Sequence, residues 1–104
     1  MSAIAQNTAL PAGVLTTVLA AVPAGQCATV EINVCNTANT AAKVRLAITS
    51  TPANPDAYLE YEIPVGRSPL VRTGQVVKAG EAIVVLSDGA GCQVRVSGFQ
   101  ESEV

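Results

Sequence analysis

The chain has 104 residues, 49% hydrophobic and 13% charged, with a net charge of −2 and no histidine. That length suits one domain with one modest core, and the charged share is well below the usual value of roughly 25%. Without histidine there is no Ser-His-Asp or Cys-His dyad and no His-containing zinc site, so composition argues against an enzyme and against a metal cofactor.

The cations Lys43, Arg45, Arg67, Arg72, Lys78 and Arg95 are scattered, and only Tyr58, Tyr61 and Phe99 could stack on bases. Phosphate neutralisation needs clustered cations, so nucleic acid is not an expected partner. A chain this poor in charge must cover both faces of its sheets or hand apolar surface to a neighbour, and the second is the expectation.

In chain order, MSAIAQNTALPAG (1–13) is uncharged and without strong periodicity, and reads as an N-terminal arm. VLTTVLAAV (14–22) is a first strand. It has no basic stretch before it and is too short to span a bilayer, so no signal peptide and no membrane are expected. In TVEINVC (29–35), Val30, Ile32 and Val34 alternate with Thr29, Glu31, Asn33 and Cys35, and KVRLAIT (43–49) repeats the pattern. Period two means half-buried strands. Further strands are predicted over 26–35, 42–50, 57–63, 69–77, 81–87 and 92–99. The result is an all-β, single-domain antiparallel β-sandwich (14–101), jelly-roll or Ig-like, of about seven strands, followed by a mobile terminus at 102–104.

The separators are turn chemistry. PAGVLTTV (11–18) and PAGQCATV (23–30) echo each other, with KAGEAIVV (78–85) as a looser third copy. This reads as one turn-into-strand device used three times, the third as a hairpin corner.

Glu60 and Glu62 lie two apart on a predicted strand and would share a face roughly 7 Å apart. The plain reading is a solvated face balanced by Arg67 and Arg72, and no catalytic residue is assigned. Tyr58 and Tyr61 fall on opposite faces by parity, which weakens a sugar-binding role. Cys27 and Cys35, about 26 Å apart along one strand, cannot bridge each other. A disulfide between Cys35 and Cys92 would need one strand end to turn; otherwise the three thiols are small apolar side chains.

In AIVVLS (82–87), Ala82, Val84 and Leu86 face one way and Ile83 and Val85 the other. Both sides want cover, either within the chain or with one side given to a subunit contact, for which Ile83 and Val85 are candidates. Phe99, the third candidate, has outward parity. Gly98 before it would permit a bulge that turns the ring inward to plug the open end of the sandwich, and that is the expectation; the competing reading docks an exposed ring on a neighbouring subunit.

TVEINVCN (29–36), VRLAITS (44–50), LEYEIPV (59–65), LVRTGQVVKAGEAIVVLSD (70–88) and QVRVSGFQE (93–101) together resemble a family of small tailed-bacteriophage virion structural proteins. The distinctive parts are Arg72-Thr73-Gly74, Ala79-Gly80-Glu81 and Val94 to Phe99. The chain departs from that pattern in its extra cysteines and Ala-rich first strand. The resemblance implies a non-enzymatic capsid decoration (cement) protein, made in the host bacterial cytoplasm and located in the virion. Its expected partners are the major capsid protein and copies of itself, as a homo-oligomer, with no cofactor. A neck, baseplate or tail-fibre adaptor is the alternative, and a host-receptor or carbohydrate-binding module a more distant one.

Overall fold

The computed structural model describes residues 1–103. Eight strands follow one another: β1 (Ser2–Ala9), β2 (Thr16–Leu19), β3 (Gln26–Asn36), β4 (Ala42–Thr49), β5 (Glu60–Val65), β6 (Leu70–Val77), β7 (Ala82–Ser87) and β8 (Cys92–Ser102). They form two four-stranded antiparallel sheets, ordered β1-β8-β3-β6 and β2-β7-β4-β5. The chain is an all-β sandwich. Only β4 and β5 are consecutive neighbours in one sheet; every other connection crosses from one sheet to the other. Eight strands in that double crossing order are a jelly roll.

The echoed Pro-Ala-Gly and Lys-Ala-Gly segments sit at three of these crossings, β1 to β2, β2 to β3, and β6 to β7. In each the glycine has a left-handed backbone, with φ of 72° at Gly13, 78° at Gly25 and 85° at Gly80. One device is used three times, but the third copy is a sheet-to-sheet corner rather than the hairpin corner expected. Gly80 N donates to Val22 O at 2.8 Å and Val22 N to Glu81 O at 3.0 Å, which pins this corner to the second copy.

The predicted N-terminal arm is instead an edge strand. Residues 2–9 pair one-to-one with β8 from Ser2↔Gln100 to Ala9↔Gln93, and Ile4 and Leu10 enter the core. Between Met1 and Pro11 the only large apolar residues are Ile4 and Leu10, too few to show a period. At the other end, β8 continues to Ser102 and Glu103 N donates to Gly25 O at 3.0 Å, so residues 102 and 103 are held; Val104 lies outside the described residues.

The core between the sheets is aliphatic. Ala28, Val30, Ile32, Val34, Val94 and Val96 from the first sheet meet Val44, Leu46, Val65, Ile83 and Val85 from the second. Each such side chain, fully withdrawn from water, contributes about 2 kcal/mol. β7 is covered on both faces: Ala82 and Val84 are as buried as Ile83 and Val85. Ile83 and Val85 are therefore core residues, not interface residues, because they face the first sheet within the core cluster.

Candidate interaction surfaces

The core contains no ring. Tyr58, Tyr61 and Phe99 are 37%, 55% and 55% exposed.

Phe99 lies on the outer face of the first sheet. No register shift interrupts β8 there: Ala3, Phe99, Thr29 and Val76 stand opposite one another on β1, β8, β3 and β6, and Val76 is exposed too. The expected bulge is absent, and Phe99 does not plug the sandwich. Gly98 answers a different need. Its φ is 158°, and a Cβ there would lie 2.0 Å from Thr29 O and 2.8 Å from Val30 Cα. A glycine in a strand marks either a bulge or a close backbone approach, and here it is the approach. Strand parity then leaves Phe99 outside.

The same face changes character along the strands. Beyond Ala5, Ser97 and Glu31 come Asn7, Arg95 and Asn33, with Arg95 Nη1 donating to Asn7 Oδ1 at 3.2 Å. A shallow depression of about 330 Å³ lies here, lined by Asn7, Asn33, Cys35, Gln93 and Arg95 among others. The Phe99 row itself is uncharged, but exposed carboxylates flank it on the same face, Glu101 on one side and Glu31 on the other.

Cys35 is exposed in this depression and Cys92 is buried in the core; both are free thiols. Cys92 stands opposite Asn36, so Cys35 and Cys92 sit on adjacent registers with side chains on opposite faces of the sheet. The Cys35–Cys92 disulfide that a turned strand end would have allowed is excluded by that geometry, since neither strand end turns.

The second surface is built by a bulge. On β5, Tyr61 and Glu62 together face Arg45 of β4, between the pairs Val44↔Ile63 and Leu46↔Glu60. Glu62 takes φ of 56°, unusual for a residue other than glycine. The inserted residue reverses the parity of everything before it. Glu60 and Glu62 consequently do not share a face. Arg45 Nη2 donates to Glu62 Oε1 at 2.8 Å, while Glu60 Oε2 accepts from Arg72 Nε at 2.7 Å. The expected partner Arg72 is found; Arg45 takes the place assigned to Arg67.

The bulge turns Tyr61 outward, and Tyr58, in the loop before β5 and so outside strand parity, packs against it, contrary to the expectation that they part. Their ring centroids are 5.1 Å apart at 70°, edge to face, and the Arg45 guanidinium lies 4.5 Å from the Tyr61 centroid. The hydrogen bond donated to Glu62, with that group's negative charge, holds the Arg45 pKa above its ordinary value despite some desolvation. Leu59 beside them is 40% exposed. The loop carrying Tyr58 is tied to β4 through Leu59 N to Leu46 O at 2.8 Å and Thr49 Oγ1 to Asp56 Oδ1 at 3.3 Å.

Among the described residues, no group of three or more His, Cys, Asp or Glu side chains is placed to hold a metal ion, and no helix is long and apolar enough to cross a membrane. Two surfaces remain: the row of Ala3, Phe99, Thr29 and Val76 on the first sheet's outer face, and the tyrosine–arginine cluster at β4 and β5. The chain matches no protein-family model and none of the curated proteins compared with it.

Proposed function

We propose that this protein is a non-enzymatic bacteriophage virion structural protein that decorates and cements the head shell. The carrying observation is that all three aromatic rings lie outside the core, although a core is where such rings normally contribute most. Exposed Phe and Tyr side chains are favoured at contacts, where they supply large area at low entropic cost. The row Ala3, Phe99, Thr29 and Val76 offers an uncharged strip, bordered by Glu31 and Glu101, suited to a shell or a neighbouring subunit. The jelly roll adds an analogy only, since viral capsid proteins and lectins both use it. The sequence resemblance to small virion proteins points the same way. Mass spectrometry of purified virions tests the proposal: a copy number comparable to the major capsid protein supports it. A dozen copies or fewer would move the protein to the neck, baseplate or tail.

The paired tyrosines favour a second reading, a receptor- or carbohydrate-binding module. Two exposed rings beside a cation resemble a sugar platform more closely than their spacing in sequence suggests. Titration against host glycans tests it, and saturable binding lost in Tyr61→Ala would displace the cement reading.

A further inference from the structure

The four edge strands of the sandwich are not protected alike. β6 is interrupted where Thr73 and Gly74 together face Glu31, and Arg72 beside them turns inward to Glu60. β5 carries the Tyr61–Glu62 bulge, Pro64 and the inward Glu60. β2 has 4 residues and its register slips between Thr17 and Leu19. Bulges, proline, inward charges and brevity are the devices that keep a sheet edge from pairing with another chain.

β1 has none of them. It runs 8 residues, SAIAQNTA, without charge, proline or glycine, in unbroken register with β8. Among the described residues no strand lies on its other side.

We propose that the β1 edge is where two copies of this chain pair antiparallel, joining their sheets into one eight-stranded sheet across a two-fold axis. A two-fold contact needs a patch complementary to itself, and an uncharged strand reversed on itself meets no like charge. The first charged side chain in the sequence is Glu31, so β1 and β2 carry no charged side chain of their own, and Arg95 of β8 reaches only Asn7 on the outer face. A groove of about 380 Å³ beside the edge, lined by Ile4, Gln6, Leu19, Ala21, Pro23 and Gln100 among others, holds no charged side chain either. A charged foreign strand would find no ion pair there to set its register. A register centred on Ala5 or Gln6 sets outer-face residues opposite outer-face residues, because side chains alternate with period two. The two faces bearing Phe99 and Val76 then become one surface. Strand pairing over so short an edge buries at most about 1,200 Å², so the dimer is weak and concentration-dependent.

The test uses the full chain in sedimentation velocity, with hydrogen exchange at low and high concentration. Dimer forming toward roughly 100 µM, with slowed exchange confined to β1 and the 19–23 segment, is the expected result. Ala5 is exposed and opposite Ser97, so Ala5→Lys and Ala5→Glu leave the monomer folded. Each alone should weaken association about tenfold or more, and an equimolar mixture should restore it. A chain that stays monomeric with unchanged β1 exchange overturns the proposal. So does a dimer indifferent to both charges. Should either variant fail to fold, the exchange pattern of the unmodified chain decides alone. Virion copy number enters neither readout, so this proposal and the cement reading fail independently.

Discussion

Arg72 on β6 and Glu60 on β5 join the two sheets across the side of the sandwich opposite β1, Nε to Oε2 at 2.7 Å. Both belong to edge strands and both point toward the gap, so the pair closes an opening that the aliphatic core does not fill.

Arg72→Met and Glu60→Gln, combined in a double-mutant cycle, should give a coupling of about 1 kcal/mol in urea denaturation, limited by solvent screening of the half-exposed arginine. The hydrogen bond to Glu60 holds the Arg72 pKa above its ordinary value, opposed by some desolvation. A raised folded-state pKa contributes stability that is complete below the unfolded value and lost only as pH rises through the folded one. For arginine both values are strongly alkaline, so the Arg72 contribution should be flat from about pH 6 to 10.

Gly98→Ala should be far more damaging than its chemistry suggests. The added methyl would sit 2.0 Å from Thr29 O, inside backbone that can move only by parting β8 from β3. A loss of about 3 kcal/mol, read from the urea midpoint, is expected.

Phe99→Ala should change the stability of the free chain by no more than about 1 kcal/mol, because the ring is more than half exposed. The proposed cement role further requires that virion attachment fall. Ile83→Ala should do the reverse of a surface substitution and cost about 2–5 kcal/mol, since Ile83 is fully buried. Thermal melts of the two variants side by side check both.

Thiol labelling of the native chain should reach Cys35 quickly and Cys92 only on unfolding, following their exposure. A non-reducing peptide map should contain no Cys35–Cys92 link.

Several features were legible without coordinates because they depend on local pattern. Alternation in 29–35 and 43–49 marked β3 and β4 and their buried faces, and the turn residues marked turns at Gly13, Gly25 and Gly80, though not that the third crosses between sheets. Period two and left-handed glycine are properties of a few neighbouring residues. β1 was missed for the complementary reason. Its Ala, Gln, Asn and Thr side chains carry no strong period, and it is a strand only because β8 offers an edge to pair with.

By itself, then, the sequence determined an all-β single domain, an aliphatic core and the absence of histidine chemistry, since these follow from composition and alternation. Tertiary structure alone decided which glycine makes a bulge and which permits a close approach, because that depends on the backbone lying opposite. Gly74 faces β3 across a slipped register, whereas Gly98 lies against Thr29 in an unbroken one. It also decided the surfaces. The slip at Tyr61–Glu62 moved Glu60 toward Arg72 and turned Tyr61 outward beside Arg45, and no residue type at those positions announces it. A one-residue shift costs little locally but changes the face of every side chain before it, so such a shift is settled by the whole sandwich.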